Sequence, residues 1–365
     1  MKKKQFPLSL LLLLTAACTS ENAELLPQPS DAPDVLRIAS VGMDDGKNTR
    51  GIMDNTGIQT NGCQIGVYAV NSDNTEYRGL YQCWQILGVY AVNSDNTEYI
   101  PLHGGSNASV YQYNNSCWNV TSMDGSKLLR LPTNGNSCKI YAYYPSGLVP
   151  VYQAAGGSYL SGINVVAQDD FSSTTQKDYL YPSVAATTNI NSSSGVSFTL
   201  KHALAKLTFK VYKLAVMTEE IKLTKLQIIA NANTLQVGSG KTMLLSSGNL
   251  QGLVGTDLIT LAASDGGMAL PAQTNTINLG NPKSTVFPFC LVAPAPNVDY
   301  LSFQLTVVSN KQEQTYLTQQ IKMTSHWAAG NHFVFTLVLN GMNAIISGMK
   351  QYQWEGYTET DIPIS

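Results

Sequence analysis

An all-β chain of two sandwiches in tandem is what this sequence predicts, and three observations predict it. Short runs rich in Val, Ile, Tyr, Phe and Thr recur along the chain, each stopped by Gly, Asn, Ser or Pro. Several runs alternate apolar and polar residues, the period of a strand with one buried face. Charged residues make up only 13% of the 365, about half the usual share. Asn, Ser, Thr, Gly and Tyr stand in their place, and these suit strands, turns and an extracellular surface. The length is enough for two domains of ordinary size.

Residues 1–17 read as an export signal: Met1-Lys2-Lys3-Lys4 is positive, and residues 7–14 are apolar but too short to span a bilayer. Thr15-Ala16-Ala17 then leads into Cys18, the expected lipidation site, whose thiol would be acylated. Leu14 stands one place further from the cysteine than in the usual lipoprotein signal. The competing reading is an ordinary signal peptide with a chance cysteine. Residues 18–33 are polar and proline-rich, a tether.

The N-terminal domain is expected over 34–215. Its first strand, 34–42, carries Val35, Leu36, Ile38 and Val41, and the turn-forming residues 44–48 end it. Further strands are expected at 65–70, 139–144, 179–181, 196–200 and 207–212. Val196, Phe198 and Leu200 alternate with Ser197 and Thr199. His202 to Lys206 is short enough for a helical turn. Charge concentrates briefly over 213–220, the expected break before a second domain at 216–341. Its strands are expected at 221–230, 286–292, 301–308 and 333–339, and a tail follows at 342–365. Residues 66–77 recur identically at 88–99. One duplicated strand-turn unit is a longer hairpin, since a solenoid needs several repeats.

Composition and motifs exclude most chemistry. A net charge of −2 offers no basic field for nucleic acid. After Cys18 come Cys63, Cys83, Cys117, Cys138 and Cys290, an odd number without a Cys-x-x-Cys pair. Zinc and thioredoxin chemistry are therefore not expected, and any disulfide pairing stays open. Asp73, Asp95, Glu76 and Glu98 have a faint look of calcium ligands, but their spacing fits no binding loop and turn formation explains them. Gly238-Ser239-Gly240-Lys241-Thr242 mimics the end of a phosphate loop, yet Leu235 stands where the first glycine belongs, so a hairpin turn is expected. Ser158 lacks the glycine two places on that a nucleophile elbow needs. His103, His202, His326 and His332 have no metal-ligand spacing. No catalytic constellation and no cofactor are expected.

Four runs in order carry a family resemblance: Ile65-Gly66-Val67-Tyr68, the strand 139–145 ending in Tyr144-Pro145, Phe198 to Phe209 with His202 and Lys206 inside it, and Trp327 to Phe333 around Gly330. With Trp354 in the tail and the lipoprotein signal, the chain resembles the fimbrillin family of Bacteroidetes, subunits of type V pili. The departures are the 66–99 duplication and the number of cysteines. The resemblance implies two transthyretin-like sandwiches and a lipoprotein precursor at the outer membrane. It implies a trypsin-like cut that removes the first strand, and a neighbouring subunit's tail that fills the vacated groove. Carried onto this sequence, the cut falls after Arg50, with Arg37 as the alternative. The donor is residues 344–354, anchored by Ile345, Ile346, Met349, Tyr352 and Trp354. In the uncleaved monomer that tail is expected to be exposed or loosely packed.

The implied partners are identical or related pilin subunits, the outer membrane through the lipid anchor, and host or bacterial surface ligands. The implied location is the outer membrane, then an extracellular fimbrium. Two alternatives are kept: an accessory or tip adhesin, and a surface glycan-binding lipoprotein. For the latter the 19 tyrosines could serve, although strand tyrosines more often form cross-strand pairs. A hydrolase with dispersed catalytic groups stands third.

Overall fold

The computed structural model describes residues 36–43, 64–71, 108–114, 117–120, 138–153, 157–188, 195–264, 266–273, 287–323, 326–354 and 360–361. Among these there is no helix. The strands in the first half are β1 (Ile38–Met43), β2 (Gln64–Asn71), β3 (Ala108–Asn114), β4 (Cys117–Val120), β5 (Cys138–Tyr143), β6 (Val149–Val151), β7 (Tyr159–Val165), β8 (Gln168–Asp170), β9 (Leu180–Pro182), β10 (Ala186–Thr188) and β11 (Val196–His202). Next come β12 (Ala205–Leu214), β13 (Ile221–Ala230), β14 (Leu235–Leu244), β15 (Leu250–Gln251), β16 (Val254–Thr256), β17 (Leu258–Ala262), β18 (Met268–Ala269) and β19 (Ala272–Gln273). The last are β20 (Phe289–Val292), β21 (Tyr300–Ser309), β22 (Gln312–Leu317), β23 (Ile321–Lys322), β24 (Asn331–Leu339), β25 (Ala344–Gln353) and β26 (Thr360–Asp361).

Two of the sheets form a sandwich. One runs β19-β12-β24-β25-β26, with β20 also on β12. The other runs β22-β21-β13-β17-β8. Strict alternation points Leu207, Phe209 and Val211 inward from β12, and Phe333, Phe335, Leu337 and Leu339 from β24. Strand β13 meets them with Ile221, Leu223, Leu226 and Ile228; a bulge between Leu223 and Lys225 restores the inward phase that three-residue spacing would lose. Phe303 of β21 ties the layers together. Its ring centroid lies 5.5 Å from that of Phe209 and 4.9 Å from that of Phe335. Burying each of these side chains contributes about 1.5–3 kcal/mol.

Ahead of the sandwich lie a three-stranded sheet, β1-β11-β9, and a five-stranded sheet, β10-β5-β2-β3-β4, which touch through β1 with β4 and β5 with β9. A fifth sheet, β15-β14-β7-β6, joins the two halves.

Three expectations meet the strand order here. First, at 213–220, where a break between domains is expected, β12 lies in one layer of the sandwich and β13 in the other. The charged segment is a solvated crossover between layers. Strand β12 is paired in parallel with β24 from Lys206 to Lys213, while β7 and β8 pair with β14 and β17. Hydrogen bonding thus crosses residue 215 in both directions. Second, His202 to Lys206 is not a helical turn. Strand β11 ends at His202 and β12 begins at Ala205, so Ala203 and Leu204 form a buried bend between sheets. Third, Ser239 and Gly240 are not a hairpin turn. They are an irregularity inside β14, where the ladder to β7 skips from Gly238 to Lys241 and the Asn164 side-chain oxygen accepts from Ser239 Oγ and the Gly240 N–H.

Candidate assembly strands

Among the described residues strand β1 pairs with β11, in parallel. Its register on β11 runs Ile38 to Val196, Ser40 to Ser197, Val41 to Phe198 and Met43 to Leu200, with an irregularity between Ile38 and Ser40. That irregularity sets the burial pattern. Leu36, Ile38, Val41 and Met43 are buried, while Arg37, Ala39 and Ser40 face out. Outside the strand core, the Ser40 hydroxyl donates to Ser197 Oγ at 2.9 Å. Two further devices seat the strand. Tyr111, buried on β3, donates its hydroxyl to the Leu36 carbonyl at 3.0 Å, and burial pushes its ionisation well above the usual tyrosine range. Gly195 has φ +71°, and a Cβ there would come within 2.9 Å of the Arg37 carbonyl, so only glycine permits the approach that lets Val196 N–H donate to it.

Of the first-strand residues named from sequence, Leu36, Ile38 and Val41 are therefore brought together in one buried row, and Val35 lies outside the described residues. Arg37 projects outward, but its backbone carbonyl is engaged by Val196. Cys18 and Arg50 also lie outside the described residues, as do residues 88–99 and the turn that ends the first repeat.

The tail departs from expectation. Rather than being loosely packed, β25 is hydrogen-bonded in antiparallel register to β24 from Asn331 with Gln353 to Leu339 with Ala344. Ala344, Ile346 and Met349 belong to the sandwich core. A bulge opposite Thr336 and Leu337 keeps Met349 inward although it stands three residues after Ile346. The proposed anchors divide accordingly: Ile346, Met349 and Trp354 are buried, Tyr352 is half-buried, and Ile345 is 38% exposed. Met342, at the hairpin before it, is 85% exposed. Strand β26 covers β25 only at Lys350 and Gln351.

Trp354 ends this strand in a polar seat that sequence reasoning missed. Its indole stacks on the His202 ring with centroids 3.9 Å apart and planes 2° apart. Its backbone N–H donates to the Gly330 carbonyl at 2.7 Å. His202 Nδ1 lies 2.9 and 3.1 Å from the carboxylate oxygens of Asp178, and both side chains are buried. The one signal in the sequence was a histidine in an otherwise apolar bend, but Asp178, 24 residues away, could not be paired with it from spacing.

On the outer face of β12 and β24, Lys206 stands beside His332, and Thr208 Oγ1 lies 2.9 Å from His332 Nε2. Burial, reinforced by Lys206 and Lys210, pushes the His332 pKa down to about 3, so the ring is neutral. The Tyr352 ring sits 5.7 Å from it. Burial and neighbouring Lys350 also lower the pKa of Lys210. Cys290 is a buried free thiol that desolvation holds protonated. Among the described residues no group of three His, Cys, Asp or Glu side chains could hold a metal.

Comparison with known proteins adds the context. A family model described as fimbrillin-like matches residues 49–354. No curated protein matches the sequence. Among solved structures, a fimbrial protein from Bacteroides vulgatus is similar at a TM-score of 0.50 and 12% identity, over 88% of this chain and 99% of that one. A fimbrial assembly protein from Parabacteroides distasonis is similar at 0.39 and 11%, over 90% and 99%. At these identities the first likeness speaks to the fold alone.

Proposed function

Because this chain belongs to the fimbrillin-like family, we propose that it is a structural subunit of cell-surface fimbriae, exported as a lipoprotein anchored through Cys18, cut by a trypsin-like protease and polymerised by strand donation in support of adhesion. The observation that carries the reading is the seating of β1. With Leu36 it holds a row of four buried apolar residues, and among the described residues it stands at the end of its sheet with β11 as its ladder partner. Removing such a strand uncovers apolar surface together with the N–H and C=O groups of β11, an arrangement that another extended strand satisfies. Four anchors at about 1.5–3 kcal/mol each make refilling strongly favourable.

Arg50 is the preferred cut. The Arg37 carbonyl is bonded to β11, and cleavage there would leave Ile38, Val41 and Met43 in place. The donor is the 344–354 segment of a second copy, which leaves its own sheet to do so.

The experiment is to treat the purified precursor with low-dose trypsin, sequence the new N-terminus and follow polymer by light scattering. The expected result is cleavage after Arg50 followed by polymer. Polymer from Arg50→Ala at the wild-type rate would reject the site, and a cleaved chain that stays monomeric would reject strand donation. Cys18→Ser should abolish fatty-acid labelling and membrane association; retention of both would reject lipidation.

A further inference from the structure

We propose that His202 and Asp178 form a latch that holds the C-terminal tail in its own subunit by seating Trp354, and that opening this latch limits the rate at which the tail is released for assembly. The inference rests on the strand-donation reading above and names a control on it.

The tail is held in two different ways along its length. From Ala344 to Met349 it is an ordinary core strand, with apolar side chains in the sandwich. Trp354, beyond its end, leaves that core and packs in a second cluster with Tyr141, Tyr143, Tyr179, Leu160, Ala203 and Leu204. These come from β5, β7, the segment before β9 and the bend between β11 and β12, and Met243, Leu245, Leu291 and Ala293 belong to the same cluster. The last anchor of the tail is therefore held in a different cluster from its first anchors, one that both halves of the chain build.

The grip is specific in geometry. A face-to-face stack at 3.9 Å and 2° requires the imidazole to be held in one plane, and the two contacts from Asp178 to Nδ1 hold it. Asp178 in turn sits two residues before β9, which pairs with β11 from Leu180 opposite His202 to Pro182 opposite Leu200. The bend itself is pinned on both sides, with Ala203 N–H donating to the Tyr179 carbonyl and Gly330 N–H to the Leu204 carbonyl. Gly330 is also the residue whose carbonyl receives the Trp354 N–H. A single buried node thus joins β9, β11, the turn before β24 and the end of the tail.

That node lies on the strand that seats β1. Leu200 of β11 is the register partner of Met43, and His202 follows two residues later on the same buried face. When β1 is present, β11 is paired on both sides, by β1 and β9. Loss of β1 leaves β11 held on one side only, and His202 is its last residue. The latch is placed to be firm in the precursor and weaker after cleavage.

The test uses the full uncleaved chain and two variants. Trp354→Ala removes the stack and leaves the His202–Asp178 pair; His202→Gln keeps a donor toward Asp178 and removes the ring. Amide hydrogen exchange is read on β25 and, as the internal reference, on β13 and β21. Losing an aromatic pair predicts β25 exchange about threefold to tenfold faster in both variants with the reference strands unchanged. Equal acceleration of β25 and the reference strands would mean a general packing role and would overturn the latch, as would unchanged exchange in β25. His202→Gln, which leaves every anchor of the donor segment intact, is then cleaved and assembled beside wild type. Faster polymer growth than wild type supports control of release, whereas equal or slower growth overturns it. Wild type that cleaves but forms no polymer overturns the strand-donation reading itself, a result visible before any variant is compared.

Discussion

Tyr111 and His332 show how a single buried polar group constrains this fold. The Tyr111 hydroxyl donates to the Leu36 carbonyl, and burial keeps it protonated. Tyr111→Phe should cost about 1–3 kcal/mol, because it strands a buried carbonyl rather than merely deleting a bond. The loss should be concentrated in β1, read as faster amide exchange at 38–43; unchanged exchange there would mean the tether is slack. His332 acts through protons. Its folded pKa is about 3 against an ordinary value of 6.5. Between those values the unfolded chain binds a proton that the folded chain refuses, so its contribution is fully present above about pH 6.5 and is lost as pH falls toward 3. Denaturant melts at pH 7 and pH 4 should show this decline. In His332→Gln the decline should shrink, and an equal decline in both chains would assign it elsewhere.

At the scale of elements, most strands were legible and their partners were not. Residues 221–230 and 196–200 announced themselves by period, since each buries one face, and β13 and β11 follow those runs closely. Strand β14 was hidden because Gly238, Ser239 and Gly240 interrupt its alternation, and a bulge in the ladder, not a turn, accommodates them. The tail was legible as apolar but not as a core strand, because its inward residues fall out of phase until the bulge before Met349 corrects them. This changes what truncation should do. Deleting 342–365 removes Ala344, Ile346 and Met349 from the core, and large-to-small losses of this kind cost about 2–5 kcal/mol each. The truncated chain should therefore aggregate or melt well below the full one. Met349→Ala offers a milder check, at about 2–4 kcal/mol lower stability. A truncation with wild-type melting would mean that β25 carries little of the sandwich.

For the whole molecule, the pairing of β7 with β14, β8 with β17 and β12 with β24 ties segments on both sides of residue 215 into shared sheets. Two independent domains would unfold in two steps, whereas interleaved sheets lose their ladders together. Calorimetry should accordingly give one transition with matching calorimetric and van't Hoff enthalpies for the described strands. Two resolved transitions would show that the halves uncouple despite these ladders. The same interleaving lets the end of the tail reach across to His202, a contact between residues 152 positions apart that no local pattern encodes.

By itself the sequence determined the class of the protein: all-β, through period-two burial and frequent turn residues, and fimbrillin-like, through runs whose order survives along the chain. It also marked Val35, Leu36, Ile38 and Val41 as the apolar residues of a first strand, but the irregularity between Ile38 and Ser40 that puts Val41 on the face of Leu36 and Ile38 belongs to the fold. Tertiary structure alone decided which strands share a sheet and how the tail is held. Strand pairing joins residues that are distant in sequence, and a strand's own period looks the same whichever neighbour it bonds. The bend at Ala203 and Leu204, the bulges in β13, β14 and β25, and the Asp178–His202–Trp354 stack all depend on groups meeting across sheets, so they became visible only when the sheets were in place.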